Sequence, residues 1–325
     1  MKRKLHLNLF IQSRGHHEAS WRHPLASPLA MTDIRYFQQL AQRAEAGLFD
    51  SIFLADTLAV WDDVESAART WLEPLTVLGA LAVSTQRIGL IATASTTYSE
   101  PFNLARQFAS LDHMSGGRAG WNIVTTWSVP AAKNFGGEGQ QSHDDRYTRA
   151  EEYLRVAKDL WDSWADDVLV DDRDSGQYAH ADRILPIDHK GDYYQVAGPL
   201  NIPRGPQGRP VLVQAGSSKT GRRFAARHAE AVFTAHMEKA TAQAFYKDLK
   251  ALVVEEGRAA DQALILPGLS PVIAGTEEEA QRIAQELNDL ADPEIGRKRL
   301  SGRFGGHDFS NLPLDTPLTP GDFPD

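Results

Sequence analysis

Val211-Leu-Val-Gln-Ala-Gly-Ser-Ser-Lys-Thr-Gly-Arg-Arg223 is a short apolar run that ends at a glycine and two hydroxyls and then turns into a helical pattern. An apolar run of this length, bounded by turn residues, is how a strand buried on both faces of a parallel sheet reads. The same unit recurs on both sides of it. Leu5–Ile11, Ser51–Ala55, Ile88–Thr93, Ala119–Val124, Val211–Ala215, Ala231–Thr234 and Leu264–Ile273 are strand candidates. Helical patterns lie between them at Asp33–Ala46, Pro74–Val83, Asn103–His113, Arg149–Trp164, Arg222–His228, Lys239–Glu256 and Glu277–Leu290. Strand–helix alternation predicts a parallel α/β sheet. Seven strand candidates suit either an open doubly wound sheet or most of an eight-stranded barrel. Two stretches break the alternation, Trp127–Asp145 and Asp166–Arg209, and are expected to be long functional loops inserted in one domain spanning residues 1–325.

The bulk numbers restrict function. A chain of 325 residues, 42% hydrophobic and 24% charged, buries a large core. A net charge of −9 argues against a nucleic-acid surface. The absence of cysteine removes disulfides, thiolate nucleophiles, iron–sulfur clusters and Cys-ligated zinc. Residues 1–12 are basic and then apolar, but His6 and Asn8 interrupt the run, which is read as a first strand. No apolar run is long enough to span a bilayer, and the expected location is the cytoplasm.

Several motifs carry chemistry. The start of the helix after Gly216 presents free N–H groups and a positive dipole end, with Ser217 and Ser218 as donors and Arg222 or Arg223 as added charge. That is a phosphate site, or else an ordinary capped turn. Gly216 and Gly221 have P-loop spacing, but Arg222-Arg223 replaces the Lys-Ser/Thr that nucleotide triphosphate hydrolysis needs. Gly137-Glu138-Gly139 has no third glycine in register and follows a loop, so the dinucleotide fingerprint is absent. His143 and Tyr147, four apart on a helix, can face one ligand. Asp56, then Ser95-Thr96-Thr97, then Asn122 fall at or near the ends of successive strands, on the side where α/β sites form. His16, His17 and His23 lack a zincin partner, and no Gly-x-Ser-x-Gly elbow is present.

Leu104-Ala-Arg-Gln-Phe-Ala-Ser-Leu-Asp-His-Met-Ser-Gly-Gly-Arg118-Ala-Gly-Trp-Asn-Ile-Val-Thr125 strongly resembles the bacterial luciferase-like flavin monooxygenases, in the branch of nitrilotriacetate monooxygenase component A and dibenzothiophene-sulfone monooxygenase. Ile91–Tyr98, His143–Ala150, Gly198–Arg204 and Pro206–Ser218 match the same branch in the same order. The resemblance implies a TIM-like (β/α)8 barrel with FMN at its C-terminal rim, used as FMNH2 with O2 as co-substrate. It implies flavin contacts from Asp56, Thr96, Asn122, His143, Tyr147, Ser217 and Ser218, with the serines on the phosphate. It places Phe10, His17 and Phe53 beside the ring and substrate, and offers His143 and His307 for proton transfer. It further implies a separate NADH:FMN reductase as partner, a small-molecule substrate and a homo-oligomer. Family members continue past the Pro-Leu-Asp segment near residue 315 with more helices, an eighth strand and a closing helix. The expectation is therefore a barrel truncated before its eighth strand, with residues 291–325 beginning a further insertion. The functional expectation is an FMN-dependent monooxygenase component. The alternatives are a truncated, non-catalytic flavin-binding barrel, an F420-dependent reductase of the same superfamily, and a barrel hydrolase with Asp56 as base.

Overall fold

A computed structural model describes residues 4–61, 64–66, 68, 72–137, 139, 141–304, 307–314 and 316–323. The chain divides into two compact units. The first comprises Met1–Ile11, Asp33–Ala59 and Leu72–Leu269; the second comprises Gln12–Thr32, Val60–Trp71 and Ser270–Asp325.

The first unit alternates strands and helices: β1 (Asn8–Ile11), α1 (Ile34–Ala46), β2 (Ser51–Leu54), α2 (Pro74–Ala82), β3 (Gly89–Ser95), α3 (Pro101–Ser115), β4 (Ala119–Val124), α4 (Val129–Asn134) and α5 (His143–Trp161). Two small hairpins follow, β5 (Leu169–Asp172) with β6 (Gln177–Ala179), and β7 (His189–Lys190) with β8 (Gln195–Val196). Then come β9 (Val211–Gln214), α6 (Lys219–His228), β10 (Ala231–Ala235), α7 (Lys239–Glu255) and β11 (Leu264–Gly268). All seven expected strands are present, in one sheet of order β1-β2-β3-β4-β9-β10-β11, and every pairing is parallel.

The sheet is curled. β1 and β10 stand five places apart, which in a flat sheet is about 24 Å at the usual strand spacing. Yet the rings of Phe10 on β1 and Phe233 on β10 are 5.8 Å apart, and Phe53 on β2 lies 6.3 Å from Phe233. Strand ends that far apart in order touch only if the sheet wraps round, which settles the choice between open sheet and TIM-like barrel in favour of the barrel. Phe53, Ile91, Val213 and Ala231 fill its interior, with Phe10 and Leu266 packed against them. Gly120 faces inward because Ile91 needs the room: a Cβ there would lie 2.9 Å from Ile91 Cγ1.

On the outside, Trp121 of β4 is fully buried and meets Phe108 of α3 at 5.7 Å and Tyr153 of α5 at 5.9 Å. Its indole N–H donates to Ala94 O at 3.1 Å, so the large ring leaves no unmet donor. At the N-terminal end of the barrel, the Arg118 guanidinium donates to Ser115 O, Thr85 Oγ1, Ile88 O, Ala82 O and Thr85 O. That one side chain satisfies carbonyls at the ends of both α2 and α3.

Three expectations need correction. The helix expected from Arg149 begins at His143, because Ser142 caps it by accepting from Asp145 N. The stretch 127–145 is not all loop: Ser128 caps α4 in the same way. The stretch 166–209 holds the two hairpins, not a structureless insertion.

The second unit contains α8 (Glu277–Asp289) and α9 (Pro293–Arg303). Within it His23 Nε2 meets Glu286 at 3.1 Å, and Glu18 pairs with Arg299. Phe304, Phe309 and Phe323 form a ring cluster with centroids 5.1–6.0 Å apart.

Candidate active site

Because every strand of the seven-stranded sheet is parallel, β2, β3, β4 and β9 all deliver their C-terminal ends to one rim. Asp56 follows β2, Thr96 follows β3, Asn122 lies in β4, and Ser217 and Ser218 follow β9.

The best-connected group is the turn from β9 into α6. Ser218 is the N-cap of α6, its hydroxyl accepting from Gly221 N at 3.0 Å. His143, at the first position of α5, places Nε2 3.1 Å from the same Ser218 oxygen. One helical turn on, Tyr147 lies 4.9 Å from the His143 ring and packs edge-on against Phe224 of α6 at 5.6 Å. Its hydroxyl reaches into the turn itself. A Cβ on Gly216 would lie 2.9 Å from Tyr147 Oη, and one on Gly221 would lie 2.7 Å from it. Glycine is therefore required at both positions to admit the tyrosine. Burial raises the Tyr147 pKa, and hydrogen bonds with Ser218, Gln214 and Thr125 oppose the rise. Ser217 is exposed on the same turn.

Hydroxyl contacts stitch the next strand ends together. Thr97 Oγ1 donates to Thr125 O at 2.8 Å, Thr126 Oγ1 donates to Ser95 Oγ at 2.7 Å, and Thr96 N donates to Val124 O at 2.9 Å. Asn122, 3% exposed, donates through Nδ2 to Thr93 Oγ1 at 2.9 Å, but its carbonyl oxygen has no partner. A buried acceptor left unmet is costly, of order 1–3 kcal/mol. Asp56 accepts from Thr57 N at 2.8 Å. Burial lifts its pKa to about 6 against that bond, with Glu73 adding to the rise.

The structure thus brings His143, Tyr147 and Ser218 into contact and sets Thr96 and Asn122 on paired strands beside them. Phe10 and Phe53 are 4.8 Å apart in the barrel interior. His17 and His307 belong to the second unit. There His17 Nε2 lies 3.3 Å from Asn288 Oδ1, and the His307 ring lies 4.8 Å from Phe309. Arg222 and Arg223 are already engaged by carboxylates, although Arg222 Nε is buried without a partner. Arg222 pairs with Asp248 at 2.7 Å and Arg223 with Glu255 and Glu256, all on or at the end of α7. Among the described residues no group of three or more His, Asp or Glu is placed to hold a metal, and no helix is long and apolar enough to cross a membrane.

Sequence reasoning missed Gln214 and Thr125. Gln214 Oε1 accepts from Gly216 N at 2.6 Å while its Nε2 faces Tyr147 Oη at 3.5 Å, so it shapes the turn and holds the tyrosine. A glutamine closing an apolar strand was the available signal, since a buried amide in a strand requires partners. Two surface grooves of about 500 and 480 Å³ lie on helix faces and are lined by none of these rim residues.

Residues 8–311 match the family described as luciferase-like monooxygenase. The chain is 48% identical to N-acetyl-S-(2-succino)cysteine monooxygenase of Bacillus subtilis (strain 168), over 98% of this chain and 72% of that protein. It is 43% identical to nitrilotriacetate monooxygenase component A of Aminobacter aminovorans, over 99% of this chain and 74% of that one. Among solved structures, riboflavin lyase with modified FMN and riboflavin superposes with a TM-score of 0.88 at 36% identity, covering 97% of this chain and 73% of that chain. The family match over this span, with relatives this similar, means that the chain belongs to the luciferase-like monooxygenase family.

Proposed function

We propose that the chain is the oxygenating component of a two-component monooxygenase, taking FMNH2 from a separate NADH:FMN reductase and using O2 to oxidise a small organic molecule. The observation that carries this reading is the convergence of His143, Tyr147 and Ser218 on the glycine-lined start of α6. The residues fit the cofactor. There is no room for a side chain at Gly216 or Gly221, Ser217 and Ser218 offer hydroxyls at a helix N-terminus, and Asn122 offers an unmet buried acceptor to a donor-bearing ring. Reduced FMN, when bound, supplies the electrons and activates oxygen.

The chain's own residues do the rest. Ser217, Ser218 and the N–H groups of the first turn of α6 bind the phosphate, with Tyr147 beside them. Asp56, Thr96 and Asn122 would hold the ring. Phe10 and Phe53 give the barrel mouth an apolar floor that excludes water. His143, with Nε2 at the Ser218 oxygen, is the residue we assign to hold or move a proton there. The two relatives act, by name, on N-acetyl-S-(2-succino)cysteine and on nitrilotriacetate, so a carboxylate-bearing sulfur or nitrogen compound is the first substrate class to try.

The test is oxygen-dependent product formation from such compounds, with FMNH2 supplied by an added reductase. Product that requires both flavin and oxygen is the expected result. Failure to bind FMN at all refutes the reading, and binding without any turnover across the panel favours the non-catalytic alternative.

A further inference from the structure

The β7–β8 hairpin has no part in the roles given so far, yet it is wired to the rim. Glu152 of α5 is 7% exposed, and its carboxylate accepts from His189 Nε2 at 3.0 Å, Asp192 N at 3.1 Å, Tyr193 N at 3.1 Å and Tyr194 N at 2.9 Å. Burial alone would raise the Glu152 pKa, but these donors outweigh it and hold the group below its ordinary value. The fit admits no side chain at Gly191, where a Cβ would lie 2.1 Å from Glu152 Oε1. A buried carboxylate ringed by four donors fixes the hairpin against α5.

Fixing the hairpin fixes Tyr194. Its ring is buried edge-on against Tyr153 at 5.5 Å. Its hydroxyl accepts from Arg149 Nε at 2.7 Å and donates to the main-chain oxygen of Thr96 at 3.3 Å. Thr96 is 1% exposed, and its own N–H and Oγ1 both point to Val124 O. Thr96 is thus gripped from two sides, by β4 and by the hairpin. A phenylalanine would fill the same space as Tyr194. What the hydroxyl adds is a polar link from the hairpin to the end of β3.

We infer that Tyr194, seated by Glu152, is a positioning residue that holds the β3 end of the rim in the geometry that grips FMN. The inference rests on the FMN reading above. Tyr194 touches no cofactor in this account; it acts through Thr96.

The experiment compares three full-length variants by FMN fluorescence titration, by visible circular dichroism of bound FMN, and by thermal unfolding. Tyr194→Phe removes both hydrogen bonds of the hydroxyl, from Arg149 and to Thr96, and keeps the ring. Gly191→Ala displaces the Glu152 carboxylate. Trp164→Phe is the control: it removes another anchor of the same insertion, Trp164 Nε1 to Leu200 O at 2.7 Å, without touching Thr96. Of the two bonds lost, the one to Thr96 acts on the rim, and its loss corresponds to roughly a fivefold to tenfold weaker FMN affinity. We expect that loss, with an altered dichroism band, in Tyr194→Phe and Gly191→Ala, and no further loss when the two are combined. Trp164→Phe lowers the unfolding temperature while leaving FMN affinity within about twofold. Unchanged affinity in Tyr194→Phe, or an equal loss in Trp164→Phe, overturns the inference while the FMN reading stands. A wild-type protein that fails to bind FMN overturns both.

Discussion

Replacing Gly221 by alanine sets two magnitudes against each other. In an ordinary helix Gly→Ala stabilises by about 1 kcal/mol, because glycine loses more backbone freedom on folding. Here the new Cβ lies 2.7 Å from Tyr147 Oη, 3.0 Å from Ser218 Oγ and 3.2 Å from Gly216 Cα. The third neighbour is backbone. The first ends a rigid ring clamped between His143 and Phe224, so neither yields cheaply. Overpacking of this kind costs about 1–3 kcal/mol. The net expectation is a loss of up to about 2 kcal/mol in stability, where propensity alone predicts a gain. Because relief means moving Tyr147 or Ser218, FMN affinity falls by roughly tenfold or more, about 1.4 kcal/mol. Gly296→Ala in α9 supplies the contrast, since nothing lies within 4 Å of its added carbon. That variant gains up to about 1 kcal/mol and binds FMN as wild type does. Urea unfolding and FMN titration on both variants decide the matter. If Gly221→Ala matches Gly296→Ala in stability and the wild type in affinity, Tyr147 does not sit where we place it.

Other consequences follow from the same contacts. Asn122→Leu removes an unmet buried acceptor but also the bond to Thr93 Oγ1, so the two offset and ligand-free stability changes by no more than about 1 kcal/mol while FMN affinity drops at least tenfold; a folded variant with unchanged affinity shows that Asn122 does not meet the flavin. Asp56 has a pKa of about 6 in the folded chain, above the ordinary carboxylate value of 3.8, so the fold favours its neutral form. Wild-type stability therefore falls as pH rises through that window, and Asp56→Asn escapes the fall. The urea midpoint of the variant should gain on wild type between pH 4 and 6 and run parallel above 7; a constant difference contradicts the burial argument. Arg118→Met strips donors from five acceptors and should cost about 3 kcal/mol or more in unfolding free energy without changing FMN affinity in the protein that remains folded.

The parallel sheet was legible because each strand is a local signal, a short apolar run between turn residues, and all seven runs are strands of one sheet. Curvature was not legible. It shows only when Phe10 meets Phe233, residues 223 positions apart whose contact no local pattern encodes. At the site, Ser218, His143 and Tyr147 could be named from spacing and resemblance because each sits at a helix start. Gln214 and Thr125 escaped because their importance lies in reaching across from one strand end to another element's side chain. The carboxylate partners of Arg222 and Arg223 escaped for the same reason: they lie on or at the end of α7, which packs beside them only in the folded chain. The hairpins of residues 166–209 escaped because their strands are only two to four residues long, too short for any alternation to show.

The two ends of the barrel are held by different physics. Arg118 secures its end with hydrogen bonds to carbonyls and one hydroxyl, and none of its acceptors is a carboxylate. Because none of those acceptors titrates, acid does not remove them. The opposite end is assembled from hydroxyls, amides, one carboxylate and one histidine on strand tips and helix starts. Changes there can alter what is bound while the far end goes on fastening the helices, so the architecture tolerates drift in specificity that a protein with one shared network would not survive.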